Sequence, residues 1–191
     1  TGLYPPGSTF KIISAVAALA EGKVTATETF SDPGYHPLVP SLICNKAGGH
    51  GSVNIVEALQ VSCNTFFYEM GRRLGIDALA KYADALGLGK KTGIDLFGEN
   101  YGTVPSTEWK ASAYEEGRVS EPSVLYSENM MAAMGQVYHL DTPIQMASVV
   151  QAIANNGTRM KPSLVKEVTN PDGEVVREFL PEIAGVLDVD R

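Results

Sequence analysis

Tyr4-Pro5-Pro6-Gly7-Ser8-Thr9-Phe10-Lys11 sets a hydroxyl and an amine three residues apart at the start of a helix. Pro5 and Pro6 cannot continue a helix and Gly7 permits a sharp turn, so the helix begins at Ser8. Positions i and i+3 share one helical face, which puts Lys11 about one turn below Ser8. A serine hydroxyl is a weak nucleophile at neutral pH and needs a base within hydrogen-bond reach. A lysine whose pKa is lowered by burial can serve. Residues 12–20 are apolar almost all round, the mark of a buried helix, so a lysine at its base is partly desolvated. A second Ser-x-x-Lys, Ser163-Leu164-Val165-Lys166, follows Pro162 in a stretch that reads as a strand. Side chains three apart on a strand face opposite ways, so that copy does not form the pair.

The first helix runs to about residue 21 and stops at Gly22. Residues 23–51 carry many turn formers and little periodicity and read as a long structured loop. Asn54 and Glu57 form a capping-box pattern that opens a helix through Leu59. Helices are predicted over 65–74, ending at Gly75, and from an Asp77 cap through Leu86, ending at Gly87. Residues 89–128, rich in Gly, Pro and Ser, read as irregular. Thr142-Pro143-Ile144-Gln145 has an N-cap, a proline at the first helical position and a glutamine at the third. Its helix runs to Ala154 and closes at Asn155-Asn156-Gly157. Residues 165–169 and 174–179 flank Asn170-Pro171-Asp172-Gly173, a β-hairpin signal.

The 191 residues suffice for one domain with a sizeable core, and 44% hydrophobic with 19% charged residues is an ordinary globular balance. A formal net charge of -7 argues against nucleic acid as a partner. No run of 18 apolar residues is present. The sequence starts at Thr1 already inside a motif, so the expectation is a piece of a longer chain with any targeting segment upstream.

Ser62-Cys63-Asn64 sits in the short break between two predicted helices. In a turned backbone its hydroxyl can relay a proton and its amide can hold a substrate carbonyl; a plain helix-capping role is the competing reading. Ser127-Glu128-Asn129 fits the same pattern, so context decides. That context is the series Tyr4-Pro5-Pro6-Gly7-Ser8-Thr9-Phe10-Lys11, Gly49-His50-Gly51, Ser62-Cys63-Asn64-Thr65-Phe66-Phe67-Tyr68, Gly93-Ile94-Asp95-Leu96, Thr142-Pro143-Ile144-Gln145-Met146-Ala147 and Ala154-Asn155-Asn156-Gly157. In order and spacing it resembles the transpeptidase domain of class B penicillin-binding proteins, most of all the elongation type, over nearly the whole chain.

The resemblance implies a D,D-transpeptidase that cross-links peptidoglycan stem peptides and is acylated by β-lactam antibiotics. Ser8 would be the acylated nucleophile, Lys11 its base and Ser62 the proton relay. Asn64 would bind the substrate or β-lactam side-chain amide, and the Ser8 N–H would form half an oxyanion hole. No cofactor is needed for that acyl transfer. The implied location is the extracytoplasmic face of the bacterial membrane, with membrane contact only through an N-terminal anchor outside this sequence. The implied fold is α+β and helix-rich, a single partial domain over 1–191 of the transpeptidase and serine β-lactamase-like fold without most of its central sheet. The family's third motif, Lys-Ser/Thr-Gly on a strand, is expected downstream of Arg191, so the piece alone is expected to be inactive. Lys91-Thr92-Gly93 is set aside because it lacks flanking β-branched alternation and precedes the Thr142 helix. Phe97 stands where the family usually has proline, and Val137 where it has glycine. A β-lactam sensor that acylates without cross-linking is the alternative. A β-lactamase would need a carboxylate positioned for water, and none lies in a recognisable motif. A purely structural zinc-bearing piece is a further reading.

Cys44 and Cys63 are the two cysteines, and outside the cytoplasm a disulfide is the default. Against that, Cys44, His50 and Cys63 with Asp32 make a donor set that suits tetrahedral zinc. Some elongation-type relatives resemble this segment in carrying such a structural site, one that would pin the long loop to the turn holding Ser62 and Asn64. His36 and His139 read as surface or loop residues without a chemical role.

Overall fold

The computed structural model describes residues 2–187. Behind Pro5 and Pro6 the chain makes a 3-10 turn, Gly7–Phe10, and continues directly as α1, Lys11–Ala20. The tight turn follows from Gly7, whose φ of 55° an L side chain resists, and from Thr9, whose hydroxyl donates to the Pro6 carbonyl at 2.7 Å. α1 is buried except for its last turn, as its apolar sequence predicts.

The stretch expected to be a loop contains short strands: β1, Phe30–Asp32; β2, Tyr35–His36; β3, Val39–Ile43; and β4, Gly51–Val53. β1 pairs antiparallel with β4, and β2 with β3. Strands this short carry no readable alternation, which is why turn chemistry dominates the sequence signal. Gly49 is required for the pairing: a Cβ there would overlap the Asp32 carbonyl.

α2, Ile55–Gln60, opens on the expected capping box of Asn54 and Glu57. α3, Asn64–Leu74, and α4, Ile76–Ala85, follow. Asp77 does not cap α4. Gly75 takes the N-cap position, and the Ile76 N–H donates to Asn129 Oδ1 at 2.8 Å, which gives the second Ser-x-Asn copy a capping role. Asp77 instead accepts from Thr107 N and Oγ1, both at 2.7 Å. Thr107 begins α5, Thr107–Glu115, a helix inside the stretch expected to be irregular. Only Lys110 and Ala113 of α5 are buried, so the sequence shows no apolar stripe. α6, Tyr126–Ala132, precedes α7, Pro143–Ala154, which carries the expected Thr142–Gln145 capping box. β5, Thr158–Met160, pairs with β8, Ile183–Val186. β6, Glu167–Thr169, and β7, Val175–Glu178, form the expected hairpin.

The architecture is helix-rich α+β, and its sheets among the described residues are four two-stranded pairs. α1 is the axis. Ala15 and Ala18 join one core with Phe66, Phe67 and Met70 of α3 and Met130 of α6. Phe10, Ile13 and Ala17 join a second with Leu79 and Ala83 of α4 and Val149 and Ala152 of α7. No described helix is long and apolar enough to cross a membrane.

His36 and His139 are not surface residues; each is 1% exposed. Burial is tolerable for His36 because its Nε2 meets Glu69 at 3.2 Å. His139 packs its ring on Phe10, centroids 4.2 Å apart. Lys91-Thr92-Gly93 lies in a loop, where the Thr92 N–H donates to Glu99 at 2.6 Å. Ser163 and Lys166 precede β6 on irregular chain, with the Ser163 hydroxyl donating to the Val165 carbonyl at 3.0 Å.

Candidate active site

Ser8 sits exposed on the 3-10 turn, while Lys11, one turn on, is 1% exposed. The break between α2 and α3 brings Ser62 and Asn64 onto Lys11. Lys11 Nζ donates to the Ser62 carbonyl at 2.8 Å, to Ser62 Oγ at 2.9 Å and to Asn64 Oδ1 at 2.8 Å. Ser62 Oγ in turn donates to Ser8 Oγ at 3.0 Å. This geometry depends on Ser62 holding φ at 53°, a left-handed conformation uncommon outside glycine, asparagine and aspartate. The strain lets one residue aim both its hydroxyl and its carbonyl at the same ammonium. Lys11 also lies 5.6 Å from the centre of the Phe67 ring. Burial lowers its pKa from the ordinary lysine value to about 8. Four residues from two distant segments thus form one chain of hydrogen bonds, from an exposed hydroxyl to a buried amine.

The four candidate ligands also converge. One ligand atom each from Asp32, Cys44, His50 and Cys63 lies within 4.8 Å of the others. His50 Nδ1 is 2.8 Å from Asp32 Oδ2, Cys44 Sγ 3.4 Å from His50 Nδ1, and Cys63 Sγ 3.2 Å from Asp32 Oδ2. The two sulfurs are 3.9 Å apart and both cysteines are free, so they are not bridged here. Burial pushes the Asp32 carboxyl up, but hydrogen bonds from its neighbours, among them the Gly34 amide and His50, outweigh it and hold the group well below the usual range. Burial pushes the Cys63 thiol up as well, and there it prevails, leaving the group well above its ordinary value. A buried carboxylate, an imidazole and two thiols crowded on one point are the donor set of a tetrahedral cation site.

Both constellations meet at one peptide stretch, because Cys63 stands between Ser62 and Asn64. The loop is tied a second time further along α3. Glu69 takes His36 Nε2 at 3.2 Å, Arg72 Nε at 2.7 Å and Arg73 Nε at 2.7 Å, and Arg73 also reaches Glu28 at 2.7 Å. Burial raises the Glu69 carboxyl, yet the two arginines and His36 outweigh it and hold the pKa at about 2. The sequence reading missed this anchor, although Glu69-x-x-Arg72-Arg73 is legible as helical i,i+3 and i,i+4 ion pairs. It also missed the support beneath Ser8. The Gly7 N–H donates to the Gly135 carbonyl at 3.0 Å and Ser14 Oγ to the Ala133 carbonyl at 2.7 Å. No local pattern links residues 119 apart.

The sequence matches the family described as the penicillin binding protein transpeptidase domain over residues 1–188. The chain is 35% identical over 191 residues to the peptidoglycan D,D-transpeptidase MrdA of Escherichia coli K12, covering 98% of the chain and 29% of that protein. It is 39% identical over 170 residues to stage V sporulation protein D of Bacillus subtilis, covering 88% of the chain and 24% of that protein. In three dimensions it resembles the crystal structure of Pseudomonas aeruginosa PBP2 in complex with WCK 5153, with a TM-score of 0.76 and 34% identity over 93% of the chain and 40% of that structure. The chain therefore spans under a third of the length of these curated relatives. A match that runs almost end to end, over the same residues that assemble the serine–lysine centre, makes this chain a member of the penicillin binding protein transpeptidase domain family.

Proposed function

We propose that these residues carry the acyl-transfer centre of a serine D,D-transpeptidase, which cross-links peptidoglycan stem peptides and is acylated by β-lactams on the extracytoplasmic face of a bacterial membrane. The observation that carries this reading is the hydrogen-bond chain Ser8–Ser62–Lys11, with Asn64 on the same amine. The similarity to a protein named as a peptidoglycan D,D-transpeptidase supports the substrate class.

In the acylation step Ser8 Oγ attacks the carbonyl carbon of the penultimate D-alanine. The new C–O bond replaces the C–N bond to the terminal D-alanine. The Ser8 proton passes through Ser62 Oγ toward a neutral Lys11, and the departing amine recovers a proton by the same route. A neutral amine carries two hydrogens and a lone pair, so one of the three hydrogen bonds Lys11 donates gives way to one it accepts. The lowered pKa keeps a useful neutral fraction near neutral pH. The Ser8 N–H, at the start of the helical segment, serves as an oxyanion donor. In the second step the amine of a neighbouring stem peptide attacks the acyl-serine. The C–O bond breaks, a C–N bond forms, and Ser8 regains its proton. Asn64 Oδ1 is held by Lys11, which leaves its amide N–H free to orient the substrate.

Asp32, Cys44, His50 and Cys63 fit a zinc ion. Bound there, the ion supplies positive charge that turns four crowded donors into one tie between the β1–β4 segment and the α2–α3 break. Fixing Cys63 fixes the residues on either side of it.

Labelling with a fluorescent penicillin tests the acyl-transfer reading: the full-length protein is labelled, and Ser8→Ala abolishes labelling. Wild-type labelling of that variant would sink it.

A further inference from the structure

The helix start that bears Ser8 rests on a segment that the acyl-transfer chemistry does not explain. Residues 133–141 touch it at successive points. The Ala133 carbonyl accepts from Ser14 Oγ at 2.7 Å, and the Gly135 carbonyl accepts from the Gly7 N–H at 3.0 Å. Gly135 packs so closely that a Cβ there would lie 2.6 Å from both the Gly7 carbonyl and Phe10 Cβ. His139 lies on the Phe10 ring, and Asp141 pairs with Tyr4 through reciprocal backbone bonds of 2.9 and 3.0 Å. Ser8 is bracketed by these contacts, so its position is only as well defined as this cradle.

The cradle is built around two left-handed residues, Gly135 at φ 64° and Val137 at φ 71°. A β-branched residue at that φ is a genuine outlier and returns to negative φ unless something holds it. A side-chain tie lies at the next residue. Tyr138 donates its hydroxyl to Glu128 Oε1 at 2.9 Å. The other Glu128 oxygen receives Lys110 Nζ, in a short contact, and the Leu125 N–H at 2.7 Å. Lys110 is 1% exposed, and Trp109 packs its ring 5.0 Å from that of Tyr138. Among the described residues these groups make no hydrogen bond or ring contact to Lys11, Ser62 or Asn64. A buried ion pair between α5 and α6 is a weak source of stability but a firm geometric fix.

We propose that Lys110, Glu128 and Tyr138 are positioning residues for Ser8. Through Tyr138 they hold the strained turn at Val137, and through that turn they seat the Gly135 carbonyl under the helix start. The inference rests on Ser8 being the nucleophile only for its kinetic readout; the structural readout is independent.

The test is Tyr138→Phe in the full-length protein, compared with Tyr138→Phe combined with Val137→Gly. Two quantities are read: the acylation step and the noncovalent affinity for penicillin, resolved kinetically, and amide hydrogen exchange in a peptide covering residues 4–11. Loss of the hydroxyl lets Val137 relax, so the acylation step slows on the order of tenfold while noncovalent affinity stays within about twofold. Exchange in residues 4–11 accelerates. Glycine at 137 accepts a positive φ without restraint, so the double variant recovers both. Lys110→Met shifts the same two readouts in the same direction. Unchanged acylation and exchange in Tyr138→Phe would overturn the proposal. So would a loss that Val137→Gly does not restore, because that pattern is general destabilisation. If the wild type itself is not acylated at Ser8, the acyl-transfer reading fails, and the exchange data alone still decide whether the cluster holds the helix start.

Discussion

Lys11 grips Ser62 at two points, its carbonyl at 2.8 Å and its hydroxyl at 2.9 Å, and the same hydroxyl makes the contact to Ser8. The lysine therefore connects to Ser8 through a second serine, and in the proposed mechanism removing that serine uncouples base from nucleophile.

Ser62→Ala is expected to slow acylation by roughly a hundredfold or more while Ser8 and Lys11 remain in place, the usual scale for loss of a general acid–base partner. Stopped-flow measurement of penicillin acylation checks this. A Ser62→Ala rate within a few-fold of wild type would mean that Lys11 reaches Ser8 without the relay.

The proposed mechanism makes the neutral form of Lys11 the base. Its pKa, lowered by burial to about 8, sets the rising limb of the acylation rate. The rate should climb as pH passes from about 7 to about 9, in step with deprotonation, and flatten above that. A pH–rate profile with no inflection in this window would assign the base elsewhere.

Zinc at Asp32, Cys44, His50 and Cys63 predicts one metal ion per chain and two titratable thiols under denaturing, chelating conditions. His50→Ala or Cys44→Ser should release the metal and lower the unfolding temperature. Elemental analysis with thiol counting decides the matter: absence of both zinc and free thiols would establish a disulfide instead.

Val137 at φ 71° is a local strain that glycine would relieve. The left-handed penalty of about 1–2 kcal/mol exceeds the entropy glycine adds to the unfolded chain, roughly 0.5–1 kcal/mol. Val137→Gly alone should raise stability by about 1 kcal/mol in urea unfolding. A destabilised variant would show that packing of the valine side chain outweighs the strain.

Asp141 is 1% exposed, and neither carboxylate oxygen has a hydrogen-bond partner among the described residues. Burial pushes its carboxyl from 3.8 up to about 7. The folded state thus holds the proton more tightly than the unfolded state. The stabilisation is complete below about pH 4 and is lost as pH rises to about 7, amounting at most to about 4 kcal/mol. Asp141→Asn should flatten stability between pH 5 and 8. An unchanged slope in denaturant titrations at those two pH values would show that Asp141 does not carry it.

Local chemistry made much of the site legible. The Pro5-Pro6-Gly7 lead, the Asn54–Glu57 box and the Thr142–Gln145 box act within one helical turn; the two boxed helices stand where they read, while the first opens as a 3-10 turn and becomes α-helical only at Lys11. α5 was illegible because its buried face is only Lys110 and Ala113. The burial of His36 and His139 was illegible because their neighbours, Glu69 and Phe10, come from other elements.

Local chemistry fixes which side chains are available: a serine and a lysine on one helical face, a serine and an asparagine at a helix break, and four metal-type donors between Asp32 and Cys63. Their order comes from packing in three dimensions. Ser62, not Lys11, makes the contact to Ser8, and the partners are 54 residues apart. Helix propensity and capping are properties of a few neighbouring residues, whereas a relay depends on how α1 packs against the α2–α3 break and on the cradle at residues 133–141. Those contacts arise from burial across the whole chain, and no window of sequence contains them.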